Sequence, residues 1–208
     1  YNYTGSTNGT LASGANQPAW TSSGKVGGAL EFDGKGTGDY LTLASSTDLA
    51  FSSFTLEAWI YGKELDRYQR VFNGGSAFYD FRVHKNNIYQ LEIWDGAAWQ
   101  SCTGGTYTIN TWHHFVATHD NSANEQKIYI DGKQVGSTCT ITASPRYANI
   151  YIGGNQINEA FNGIIDDVKI YNYVRSADQI RRDYLETYNS KYVLGAPDPG
   201  KPGAYQGS

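Results

Sequence analysis

Apolar and polar positions alternate most clearly at residues 78–84, where Tyr79, Phe81 and Val83 fall on one side of an extended chain and Asp80, Arg82 and His84 on the other. The first set is expected in a core, the second on the opposite sheet face. Strand-like runs recur at 29–33, 40–44, 54–61, 70–72, 88–94, 112–119, 127–131, 150–153 and 164–171. Between them Asp33-Gly34, Asp95-Gly96 and Asp131-Gly132 can supply the positive φ angles that hairpin turns require. Short strands at this spacing predict a sandwich or barrel with antiparallel pairing.

One helix is predicted over 177–188. Ser176 can cap its first amides, Gln179 can reciprocate, and Ile180, Tyr184 and Tyr188 share a face. Three of the five prolines fall at Pro197, Pro199 and Pro202. Residues 1–188 therefore read as one domain and 189–208 as a Pro/Gly-rich C-terminal tail or linker.

Composition narrows the class. A chain of 208 residues buries roughly 70% of its unfolded surface, enough for a sizeable core. Aromatics make up 14%, with 17 Tyr and 5 Trp, against 17% charged residues, a balance that favours strands and aromatic surfaces. A net charge of -4 leaves no electrostatic footprint for nucleic acid or anionic membranes. No apolar stretch approaches the roughly 18 residues that would imply membrane insertion, and no charged-then-apolar export signal opens the sequence. The expectation is a secreted or cell-surface protein from which any export signal has been removed.

Cys102 and Cys139 are the only cysteines, each in a β-like run and neither in a metal-ligand spacing. A disulfide is the natural reading; two unrelated buried thiols are the alternative. The sequons at Asn2 and Asn8 lend weak support to export.

The segment Gly24-Lys25-Val26-Gly27-Gly28-Ala29-Leu30-Glu31-Phe32-Asp33-Gly34, followed by Asp39-Tyr40-Leu41, resembles the laminin-G-like jelly-roll signature of the concanavalin A-like lectin/glucanase superfamily. Phe54-Thr55-Leu56-Glu57-Ala58-Trp59-Ile60, Trp112-His113-His114-Phe115, Ile128-Tyr129-Ile130-Asp131-Gly132 and Phe161-Asn162-Gly163-Ile164-Ile165-Asp166-Asp167 agree with it in order and spacing, over residues 24–188. The resemblance implies an all-β, two-sheet antiparallel jelly-roll sandwich with one short C-terminal helix. It also implies a non-catalytic carbohydrate-binding or adhesion module, in some members with a structural Ca²⁺. Two departures stand out. The family usually has a strand ahead of the polar loop at Thr7-Asn8-Gly9-Thr10, and the Pro-rich tail has no counterpart in its pattern. Tyr192-Val193-Leu194 could fill the missing strand in the same chain or in a neighbouring copy.

Catalysis is disfavoured. Glycan-cleaving relatives need two carboxylates flanking one bond, whereas Glu92 and Asp95 lie three apart on opposite strand faces and Asp166 and Asp167 point apart as neighbours. His113 and His114 likewise face opposite ways, which excludes them as a zinc pair and makes them structural. Asp33, Asp39 and Asp166, in the early and late motifs, could supply oxygens to a structural calcium, with Asn8 beside them. Otherwise they are turn formers and amide caps. For ligand binding, the polar face offers Asp80, Arg82, Gln90, Glu92 and Trp94, with Trp99 just beyond. Planar hydrogen-bonding groups beside indoles suit sugar hydroxyls and C–H faces, although a solvated face with Arg82 paired to Glu92 has the same pattern. The functional readings, in order, are a binder of polysaccharide or glycoconjugate, a structural subunit assembled from neighbouring copies by strand exchange, and a glycan-cleaving enzyme.

Overall fold

The computed structural model describes residues 9–36, 38–44, 51–74, 79–142, 149–154 and 159–190. Asn2, Asn8, Tyr147, the tail beyond Ser190 with Tyr192-Val193-Leu194, and the side chain of Tyr188 lie outside the described residues.

Two antiparallel seven-stranded sheets make the sandwich. The first runs, in spatial order, β1 (Gly9–Leu11), β4 (Leu41–Leu43), β13 (Ile150–Ile152), β6 (Gln69–Asn73), β7 (Tyr79–His84), β8 (Ile88–Trp94) and β9 (Trp99–Gly104). The second runs β12 (Lys133–Thr140), β11 (Glu125–Ile130), β10 (Trp112–Asp120), β5 (Phe54–Gly62), β14 (Asn162–Tyr171), β3 (Ala29–Asp33) and β2 (Ala19–Thr21). Every one of the ten strand-like runs is a strand. β1, β2, β9 and β12 are additional, and each is the outer strand of a sheet.

Alternation places the core as expected. Phe81 and Val83 of β7, Tyr89, Leu91 and Ile93 of β8, and Leu56, Ala58 and Ile60 of β5 point between the sheets and are almost wholly buried. Phe81 stacks on Phe115 of β10 at 3.6 Å between ring centroids, joining the layers at their centre. Asp131 and Gly132 both take positive φ, 52° and 74°, turning β11 into β12 as the Asp-Gly pair predicts.

The sandwich is closed along one side by β9 and β12. Cys102 and Cys139 form a disulfide there. The backbones come so close that a Cβ on Gly104 would meet Val135 O at 2.5 Å, and one on Gly136 would meet Thr103 O at 2.4 Å. Only glycine permits that approach.

One α-helix lies among the described residues, α1 (Ala177–Ser190), and it covers part of the outer face of the second sheet. Its start is the capping box read from the sequence: Gln179 N donates to Ser176 Oγ at 3.2 Å, and Ser176 N donates to Gln179 Oε1 at 2.8 Å. Ile180 is buried against Val116 and Tyr129, and Tyr184 stacks over Trp59 at 5.7 Å.

Candidate functional site

The face of the first sheet turned away from the core collects polar side chains because strand positions alternate. The register sets Arg70 opposite Arg82, Asn73 opposite Asp80, Asp80 opposite Glu92, Arg82 opposite Gln90, Glu92 opposite Ser101 and Trp94 opposite Trp99. All six residues expected to bind ligand therefore share one surface. The face is not simply solvated, however. Asp80, Arg82 and Gln90 are 3%, 7% and 5% exposed, and they are joined in a continuous network.

Arg82 is its centre. Its Nε donates to Gln90 Oε1 at 3.0 Å and its Nη2 to Glu92 Oε2 at 2.6 Å, with Nη1 3.7 Å from Asp80 Oδ2. The guanidinium sits 4.5 Å from the centre of the Tyr68 ring, and Tyr68 Oη pairs with His84 Nε2 at 3.1 Å. Gln90 Nε2 donates to Ser101 Oγ at 2.9 Å, and Ser101 Oγ donates to Glu92 Oε1 at 3.1 Å. Arg70 contacts Asp80 at 3.0 Å, and Asn73 donates to the same carboxylate. Glu159, on the segment before β14, accepts from Arg70 Nε at 2.6 Å and from Arg82 Nη1 at 3.4 Å. Burial pushes Asp80 up to about 6, outweighing the two arginines that pull it down.

Aromatic rings flank this polar floor. Trp94 and Trp99 meet edge to face at 5.7 Å, and Trp99 is 42% exposed. Across the sheet Tyr151 meets Tyr40 edge to face at 5.7 Å. Arg70, Asn73, Tyr68, Ser101 and Glu159 are members that sequence reasoning did not assign. Alternation would carry Arg70 and Ser101 onto this face, although a bulge between Arg70 and Phe72 shifts the parity of β6. Glu159 precedes its strand and no periodicity points to it.

The calcium residues are not brought together. Asp33 and Asp39 are neighbours, with Asp33 N donating to Asp39 Oδ2 at 2.8 Å. Burial, and then the Asp33 charge, raise Asp39 above its ordinary value, against the pull of the Asp33 amide. They line an open groove of about 530 Å³ with Gln17, Glu31, Lys35 and Asn162. Asp166 lies elsewhere: Asn162, not Asp166, stands opposite Asp33, and four further residues of β14 amount to roughly 13 Å. Its two oxygens accept the amides of Val26 at 2.8 Å and Asp167 at 2.7 Å. These three side chains do not fit one calcium shell. Among the described residues no group of three or more His, Cys, Asp and Glu side chains could hold a metal ion.

Two further clusters are structural. Thr108 Oγ1, His113 Nε2 and Nδ1, and Asp131 Oδ2 form a chain of hydrogen bonds at 2.8 and 2.9 Å. The other Asp131 oxygen accepts the His114 amide at 2.9 Å, so the chain anchors the β11–β12 turn. Under α1, Glu57 lies 3.2 Å from His114 Nε2 and accepts from Lys169 Nζ at 2.9 Å. Burial would raise this carboxyl, but His114 and Lys169 together hold it below its ordinary value.

A family model described as the Concanavalin A-like lectin/glucanases superfamily matches residues 35–181, and the chain belongs to that family. Comparison with curated proteins finds no sequence match. Among solved structures, the binding domain of Paraclostridial Mosquitocidal Protein 1 is similar at 13% identity and a TM-score of 0.70, over 88% of this chain and 48% of that one. The binding domain of Botulinum neurotoxin DC in complex with SialylT is similar at 13% identity and a TM-score of 0.67, over 87% and 47%. Domain 4 of AbnA, an extracellular arabinanase from Geobacillus stearothermophilus, in complex with arabinotriose, is similar at 17% identity and a TM-score of 0.65, over 84% and 86%. The chain thus spans about half the length of the toxin binding domains and most of the arabinanase domain. At these identities the likeness is one of fold.

Proposed function

We propose that this chain is a non-catalytic carbohydrate-binding module of an exported protein, and that it takes its ligand on the polar face of the first sheet. The observation that carries the reading is the floor of planar hydrogen-bonding groups, Arg82, Gln90, Glu92 and Ser101, fixed by mutual bonds beside the half-buried Trp94 and the exposed Trp99. Groups already held in place lose little freedom on binding, and indole faces accept sugar C–H edges. The reading is supported by the saccharide ligands of the arabinanase domain and the neurotoxin binding domain. The disulfide suits an oxidising compartment, and no helix among the described residues is long and apolar enough to cross a membrane.

Each sugar hydrogen bond replaces one to water, so it contributes about 0.5–1.5 kcal/mol net. Affinity for a short glycan is therefore weak and retention depends on repeated copies. Retention on a panel of insoluble polysaccharides tests the proposal. Trp94→Ala with Trp99→Ala abolishes it while the far-UV β signature is kept; retention unchanged by the pair moves the site elsewhere.

A further inference from the structure

Glu159 is the most exposed member of the Arg70–Arg82–Glu159 cluster. Its side chain is 27% exposed, against 9% for Arg70 and 8% for Arg82, so it is the outermost of the three and stands at the mouth. Its backbone is held independently of its carboxylate, because Arg70 N donates to Glu159 O at 2.9 Å and Arg70 bridges Ala160. Displacing the carboxylate therefore leaves these backbone contacts intact.

What it would leave behind is specific. The inner contacts of the arginines are met by other groups: Arg82 Nε and Nη2 by Gln90 and Glu92, and Arg70 Nη1 by Asp80. Arg70 Nε and Arg82 Nη1 are the donors that converge on Glu159 Oε2. The Arg82 guanidinium also lies 4.5 Å from the centre of the Tyr68 ring. Two guanidinium donors aimed at one point match a carboxylate better than a hydroxyl, since a carboxylate supplies the opposite charge as well as the acceptor and its planar oxygens suit the guanidinium fork.

We infer that Glu159 holds the place of a ligand carboxylate, and that the saccharide taken by this face is an acidic one whose sugar carboxylate displaces Glu159 from Arg70 and Arg82. The inference rests on the carbohydrate-binding reading. The exchange swaps one carboxylate for another, so the charge balance of the buried network is preserved.

The experiment is an array of carboxylate-bearing glycans, each matched with its carboxyl-reduced neutral counterpart, probed with the wild-type chain and with Glu159→Gln. The wild type is expected to bind acidic members at least tenfold more tightly than their neutral partners, which is about 1.4 kcal/mol. Glu159→Gln, which removes the competing charge but keeps the shape, is expected to strengthen acidic binding several-fold, with the fold checked by far-UV dichroism. Equal binding of matched pairs, or weaker acidic binding by Glu159→Gln, overturns this inference and leaves the carbohydrate reading standing. Failure of the wild type to bind any glycan of either kind overturns both.

Discussion

Asp80 and His119 are buried side chains that burial moves in opposite directions along the pH axis. Asp80 is raised to about 6 from 3.8, so between those values the folded state holds the extra proton and stability falls as pH rises, by up to about 3 kcal/mol. Asp80→Asn, which cannot ionise, should gain stability relative to the wild type on going from pH 4 to pH 7. A constant difference in melting temperature across that range would remove Asp80 from the account. His119 is lowered to about 4 from 6.5, chiefly by burial, and its Nδ1 lies 2.7 Å from Gln126 Nε2. Here the unfolded state binds the proton, so stability is complete above pH 6.5 and is lost as pH falls toward 4. NMR of the imidazole should show no titration in the folded protein near pH 6.5; a midpoint there contradicts the assigned burial. Asp166 makes a third case. Because its oxygens cap two backbone amides, Asp166→Ala should cost about 1–3 kcal/mol equally in calcium and in chelator, whereas a calcium ligand would lose its effect once the metal is removed. The alternation in 78–84 and 88–94 was enough to place Asp80, Arg82, Gln90, Glu92 and Trp94 on one face. The burial of Asp80, Arg82 and Gln90 was not legible, since the network around them includes Arg70 and Glu159, which join it only through the fold.

At the scale of elements, the strands that hydrophobic pattern revealed are the interior ones, and β1, β2, β9 and β12 escaped because each is the outer strand of its sheet. β12 shows the reason. Most of Lys133–Thr140 is exposed, so no apolar alternation marks it, and its pairing with β11 is imposed by the Asp131-Gly132 turn. The helix was legible to its first residue because its capping box is local chemistry. The β9–β12 seam also carries a prediction. Reducing the Cys102–Cys139 bond frees a closed loop with a sequence separation of 37, which in the chain-entropy model costs about 3–4 kcal/mol. Denaturant unfolding with and without reductant should show that loss, and coincident transitions would contradict it.

For the whole molecule, the family and sandwich were readable because ordered motifs run through most of the chain, while the choice of working surface was not. Two surfaces compete: the polar face between Trp94–Trp99 and Tyr151, and the open groove beside Asp33 and Asp39. The first offers rigid donors, acceptors and indole together, the combination that weak saccharide recognition needs; the groove offers carboxylates without an exposed indole in its lining. Titrating isotope-labelled protein with a glycan that it retains, and following backbone amide and side-chain NMR shifts, decides between them. Binding on the polar face produces saturable shifts concentrated on β7, β8 and β9, with the Trp94 and Trp99 indole signals and the Arg82 and Gln90 side chains moving together. Shifts concentrated at Glu31, Asp33, Lys35 and Asp39, with β7 to β9 unmoved, would contradict it.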